Sequence, residues 1–175
     1  MIDQRLKSVV RDVYDFPQPG IVFKDITPIL KDPALCKAIV DAFEARLQAD
    51  TIDVVAGIES RGFLFGLMLA QRLGKPFVPI RKQGKLPYRT VAQSYALEYG
   101  EATIEVHEDA FNAGARILIH DDLLATGGTV AATSQLVQRL GGLVAGYAFI
   151  ISLDFLKGKE RLADYSTQVV SLAAY

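Results

Sequence analysis

The stretch ILIHDDLLATGGTVAA, residues 117–132, sets two adjacent carboxylates, Asp121 and Asp122, at the mouth of an aliphatic run, with a glycine turn shortly after. The turn comprises Ala125, Thr126, Gly127, Gly128 and Thr129. Glycines let backbone N–H groups converge on one point, a helix starting there adds partial positive charge, and two threonine hydroxyls add donors. Such a set suits a phosphate. Adjacent carboxylates repel each other and lose solvation at a strand end unless hydroxyl donors, or a cation carried by a ligand, satisfy them. Their nearness to the glycine turn suits a ribose whose 2' and 3' hydroxyls face the acids while its 5'-phosphate rests on the turn. The competing readings are a purely structural strand-to-helix turn and an Asp pair that caps it.

Other phosphate chemistries fit less well. The turn lacks a Walker A lysine and the three-glycine dinucleotide spacing, and GIESRGF, residues 57–63, has Phe63 where a Walker lysine would stand. His107 and His120, the two histidines, are far apart and are expected to be satisfied or exposed; no Cys/His metal spacing occurs. Cys36, the single cysteine, falls on the apolar face of ALCKAIVDAFEARL and is expected in the core.

The elements that must hold these groups alternate along the chain. DVVAGI reads as a buried strand, SRGFLFGLMLAQRLG as a helix ending at Gly74, and PFVPI as the next strand. ARILIHD, GGTVAATSQLVQRLGG and LVAGYAFIISL repeat the order. Two βαβ units predict an α/β fold with a mostly parallel sheet between helices, and ligands bind at the carboxyl ends of such strands. Between the units lies RKQGKLPYRTVAQSYALEYGEATIEVHED, read as a long mobile loop feeding an antiparallel hairpin, residues 82–106, in the position of a lid. The first 34 residues carry DFPQPGIVFKDITPILKDP, whose four prolines predict an extended excursion able to cap a site from above.

The whole, residues 1–175, is expected to be one domain: half the residues are hydrophobic and 22% are charged. A net charge of −1 argues against nucleic acid as a partner. The charged N-terminus and the absence of any apolar run near ~18 residues argue against a signal peptide or membrane span. A reduced, soluble, cytoplasmic protein is expected.

The aliphatic strand, HDDLLATGGT and the helix after it resemble the phosphoribosyl pyrophosphate motif of the type I phosphoribosyltransferases. FPQPGIVFKDITPIL, AGIESRGFLFG, IRKQGKLP, SYALEYG and SLDFLKGKERL stand in the order seen in the adenine-specific members and span nearly the whole chain. The resemblance implies the type I phosphoribosyltransferase fold with an N-terminal hood and a flexible catalytic loop. It implies a glycosyltransferase that joins adenine to phosphoribosyl pyrophosphate (PRPP), giving AMP and pyrophosphate, with Mg2+ arriving on PRPP rather than in a protein cage, and a homodimer. It matches Glu59, Ser60 and Arg61 to the pyrophosphate loop, often with a cis peptide, and Arg61 to a charged contact at the reacting centre. Arg81, Lys82 and Lys85 match the basic start of the flexible loop, which closes over pyrophosphate. Glu98 matches the catalytic-loop glutamate, with Tyr99 packing beside it. Val22, Phe23 and Lys24 match the adenine site, with Phe23 as the stacking aromatic and Leu156 closing the other face. Lys24 stands where several relatives carry arginine, so no bidentate fork is available there. Two alternatives remain at this stage: a phosphoribosyltransferase for another base, and a PRPP sensor without catalysis.

Overall fold

In the computed structural model, which describes residues 1–97 and 100–175, a seven-stranded sheet of order β5-β6-β4-β3-β7-β8-β9 forms the centre. The strands are β3 (Val54–Ile58), β4 (Phe77–Lys82), β5 (Thr90–Ala96), β6 (Glu101–His107), β7 (Arg116–Leu124), β8 (Leu143–Ser152) and β9 (Val169–Ala174). Those from β4 across β3, β7 and β8 to β9 pair in parallel, while the β5–β6 hairpin joins β4 antiparallel through β6. The chain opens with helix α1 (Ile2–Val9) and a separate two-stranded antiparallel sheet, β1 (Arg11–Tyr14) with β2 (Val22–Asp25). The helices α2 (Pro33–Glu44), α3 (Gly62–Leu73), α4 (Gly128–Arg139) and the short α5 (Gly158–Leu162) complete it.

Strand alternation sorts the core into two layers. Val55, Leu118, Ala148 and Ile150 face Phe43 of α2 and Phe65 and Leu69 of α3, while Val54, Ala56, Ile117, Ile119, Tyr147 and Phe149 face Leu136 and Val137 of α4. Local signals set the helix limits. Asp32 caps α2, its Oδ1 accepting from the Ala34 and Leu35 amides at 3.0 Å, and Pro33 occupies the first turn. Gly74 ends α3 in the left-handed conformation at φ 64°. At the amino ends of the central strands, Arg116 clamps Asp53 with Nε and Nη2 at 2.9 and 2.8 Å, which holds that carboxyl well below the usual range.

The two βαβ units thus stand where the periodicity predicts them. The proline-rich excursion is more ordered than an extended arm, since β1 and β2 zip together with Asp12 opposite Lys24 and Val13 opposite Phe23. In the basic connection, β4 runs on through Lys82 and β5 begins at Thr90, so the irregular part is residues 83–89 and the hairpin takes up the rest. Cys36 is half-buried against the core. His120 departs from expectation: it is fully buried, edge-on to Phe43 at 5.6 Å, and neither ring nitrogen has a hydrogen-bonding partner among the described residues. Burial lowers its pKa to about 4, so the imidazole is neutral.

Candidate active site

The carboxyl ends of β3, β4 and β7 converge on a cavity of about 260 Å³ lined by Glu59, Ser60, Arg61, Lys82, Asp121 and Asp122. Close packing at Gly62 brings two of its loops together. A Cβ there would stand 2.9 Å from the His120 carbonyl and 3.0 Å from Asp121 Oδ1, so only a glycine lets α3 begin against the end of β7. The Glu59–Ser60 peptide in this loop is cis, as the resemblance implies.

Arg61 lies across the cavity. Its Nε donates to Asp122 Oδ2 at 2.5 Å, and its guanidinium carbon sits 4.9 Å from the centre of the Phe23 ring. One side chain therefore bridges the acid pair and the aromatic read as the base-stacking residue. Asp121 is held differently. Its Oδ1 accepts the Asp122 amide at 2.9 Å, while burial and then the neighbouring Asp122 charge push its carboxyl well above the usual range. A ligand hydroxyl offered to this pair would relieve both the lost solvation and the repulsion.

The three basic residues of the loop start separate in space. Lys82 lines the cavity. Arg81 instead donates through Nε to Glu59 at 3.1 Å and through Nη1 to the Lys85 carbonyl at 3.2 Å, and the Glu59 carboxylate also accepts the Lys82 amide at 2.9 Å. Burial alone would raise the Glu59 carboxyl, but these donors outweigh it and hold it below the ordinary value. Glu59 is thus a brace between β3 and β4, and an acceptor-only side chain has no donor for an anion. Lys85 is exposed and does not line the cavity; its amide is tied to Glu105 Oε1 at 3.0 Å.

Beyond the acids, β7 runs to Leu124 and the chain turns through Ala125 and Thr126 into α4, with Gly127 at φ 78° as its N-cap. The first amides of a helix lack intrahelical partners and so face whatever sits on the turn. Gly158 presses on this turn from behind: a Cβ on it would fall 2.2 Å from the Ala125 carbonyl. Ala125, Thr126, Gly127, Gly128 and Thr129 adjoin the acid-lined cavity along the same strand edge but do not line it. Thr129 Oγ1 is engaged with Tyr95 Oη at 3.0 Å.

On the hood, Phe23 meets Phe16 edge-to-face at 5.2 Å, and Val22 is partly exposed. Lys24 projects from the opposite face of the ribbon. Its ammonium is 2.6 Å from Asp12 and 4.2 Å from the Tyr175 ring centre, away from Phe23. Leu156, partly exposed, belongs to the 3-10 turn Asp154–Leu156 that follows β8 on the same edge of the sheet. Glu98 and Tyr99 lie outside the described residues. Among the described residues no cluster of three or more His, Cys, Asp or Glu could hold a metal ion, and no helix is long and apolar enough to cross a membrane.

Three positions that shape the site carry little signal in the sequence. Glu105 is buried at 4% exposure and gathers the Lys85 and Leu86 amides and the Thr90 hydroxyl, closing the base of the 83–89 loop. An acid flanked by Ile104 and Val106 was its only signal. Gly158 and Tyr95 had no signal beyond their residue types, because their partners lie far away in the chain.

Residues 25–172 match the family model described as phosphoribosyl transferase domain. The adenine phosphoribosyltransferase of Cytophaga hutchinsonii is 56% identical over 175 residues, covering 100% of this chain and 97% of that protein. The crystal structure of adenine phosphoribosyltransferase from Thermoanaerobacter pseudethanolicus superposes with a TM-score of 0.95 at 44% identity, covering 100% of both chains. That of the Trypanosoma brucei enzyme, in complex with AMP, pyrophosphate and ribose-5-phosphate, gives 0.88 at 31% identity, covering 99% of this chain and 79% of that one. The matched span holds the acid pair, the glycine turn and the Arg61 loop on one strand edge, and with them this chain belongs to the phosphoribosyltransferase family.

Proposed function

We propose that this chain is an adenine phosphoribosyltransferase, which transfers the phosphoribosyl group of PRPP to adenine and releases AMP and pyrophosphate. The observation that carries the reading is the acid pair, which lines a cavity with Ser60, Arg61 and Lys82, followed on the same end of β7 by the glycine turn. The names of the relatives, all adenine phosphoribosyltransferases, support adenine as the base.

In this reading the ribose hydroxyls donate to Asp121 and Asp122, and the 5'-phosphate takes the amides and hydroxyls of Ala125, Thr126, Gly127, Gly128 and Thr129. The pyrophosphate occupies the cavity against the backbone of Glu59 and Ser60, with Arg61 and Lys82 supplying charge. Arg81 and Lys85 shape the loop from outside the cavity. Adenine stacks on Phe23, an interaction worth about 0.5–1.5 kcal/mol beyond buried area. Val22 and Lys24 read its edge through their backbone, and Leu156 closes the far side.

Adenine N9 then bonds to the anomeric carbon as the bond from that carbon to pyrophosphate breaks, and the N9 proton leaves. The transition state carries oxocarbenium character, so catalysis consists of positioning and charge stabilisation, with no covalent nucleophile on the protein. By resemblance, Glu98 is the residue that assists the proton's departure. Magnesium carried by PRPP would supply charge screening for the leaving pyrophosphate; Asp121 and Asp122 would be the protein carboxylates available to it, too few oxygens for a cage without the ligand's own. Residues 1–34 serve as hood and residues 82–106 as loop and hairpin of a single domain. The exposed apolar face of α3, Leu64, Leu67 and Met68, supports a homodimer formed beside the pyrophosphate loop. The location is cytoplasmic.

The test is pyrophosphate release from PRPP and Mg2+ in the presence of adenine, guanine, hypoxanthine or xanthine. Release with adenine is expected; release only with another base overturns the base assignment, and PRPP binding without release with any base overturns catalysis.

A further inference from the structure

Thr129 should offer its hydroxyl to a phosphate, yet that hydroxyl is already held by a side chain from another element. Thr129 Oγ1 donates to the phenolic oxygen of Tyr95 at 3.0 Å, and Tyr95 stands on β5, the edge strand of the sheet, with its ring half-buried in the core beneath α4. The ring passes 3.8 Å from the point where a Cβ on Gly128 would be. A second tie fastens the same strand to the far end of the same helix, where Arg139 Nη1 donates to the Ala92 carbonyl at 2.6 Å. The hairpin is thus fixed to the helix whose first turn carries the glycine turn.

The hydrogen-bond inventory decides how this contact must respond to a ligand. A threonine hydroxyl has one proton and a bound phosphate dianion offers only acceptors. If Thr129 gives its proton to the phosphate, the bond must reverse from the one in the empty site: the Thr129 oxygen then accepts from Tyr95, and the phenol has the proton to give. Tyr95 to Thr129 to phosphate is the one polarity that satisfies all three groups, and successive bonds in such a chain strengthen one another.

We propose that Tyr95 is a positioning residue for the phosphate turn: by donating to Thr129 it aims that hydroxyl's proton at a bound 5'-phosphate, and it links the placement of β5 to whether the phosphate is present. The inference rests on the reading of residues 125–129 as the phosphate turn.

Tyr95→Phe keeps the ring and removes the hydroxyl. From the typical net worth of one hydrogen bond, the KM for PRPP is expected to rise about five-fold. Turnover and the KM for adenine should stay within about two-fold, the split expected of a contact that serves binding of one substrate. In a Thr129→Val background the same change should add no further loss. AMP should slow amide exchange at residues 92–95 in the wild type and do so much less in Tyr95→Phe. A PRPP KM equal to wild type, equal fold-losses in both backgrounds, or equal AMP protection of β5 in both proteins would overturn the inference. Failure of the wild type to release pyrophosphate with any base would overturn the enzymatic reading instead; an active wild type with an indistinguishable Tyr95→Phe overturns this inference alone.

Discussion

Arg61→Ala is expected to destabilise the ligand-free protein, because it strands a carboxylate that water scarcely reaches. The Asp122 side chain is 3% exposed and that of Arg61 40%, so the pair is buried on the acid side and open on the other. Leaving a buried charged acceptor unpaired costs ~1–3 kcal/mol, and solvent entering through the space vacated by Arg61 places this case in the lower half, about 1–2 kcal/mol. At ~2–4 °C per kcal/mol for a chain of this size, the melting temperature should fall by roughly 2–8 °C. Asp122→Asn removes the charge that needs the partner. The double variant should therefore melt closer to wild type than Arg61→Ala does, with a coupling of about 1 kcal/mol. Urea or thermal unfolding of the four proteins by circular dichroism measures the cycle. A melting temperature for Arg61→Ala within a degree of wild type, or strictly additive changes, would refute the claim that this ion pair holds the empty site together.

Asp121→Asn should weaken PRPP binding, seen as a raised KM, and should also change the pH dependence of stability. Its carboxyl is harder to ionise folded than unfolded, so this residue's contribution to stability falls as pH rises from the ordinary value of 3.8 through the raised folded one. The variant loses that slope, gaining on wild type toward neutral pH; parallel urea midpoints across pH 4–8 would contradict this. Gly158→Ala drives a methyl against the Ala125 carbonyl, an overpacking of about 1–3 kcal/mol, and should raise the PRPP KM by about ten-fold with the adenine KM unmoved. Initial-rate kinetics with each substrate varied decide it, and an unchanged PRPP KM would show that the turn yields at no cost.

Much of this site was legible from local pattern, because a buried parallel strand and the helix after it each announce themselves within a dozen residues. The end of β7, its acids and its glycine turn form one contiguous stretch, and no distant information was needed to see that they could share a ligand. Helix α1 and strand β9 carry no legible local signal: the first is short and mixed in polarity, and the second owes its definition to pairing with β8. Charge pairing was the other blind spot. The run RKQGK suggests three cations for one anion, but Glu59, from the end of β3, claims Arg81, while Asp122, on the neighbouring strand β7, claims Arg61. The direction of Lys24 could have been inferred from strand alternation alone, which sets it opposite Phe23; its partners Asp12 and Tyr175 could not.

The ribbon of β1 and β2 hydrogen-bonds as a sheet of its own, apart from the seven-stranded one. In the proposed enzyme, Val22, Phe23 and Lys24 of the base site therefore sit on a ladder independent of the one that carries the acid pair. Substitutions in residues 11–25 need no change of register in the parallel strands. Such a ribbon can drift in evolution, or be grafted between relatives, as an exchangeable part, with the activated sugar as the constant reagent beneath it.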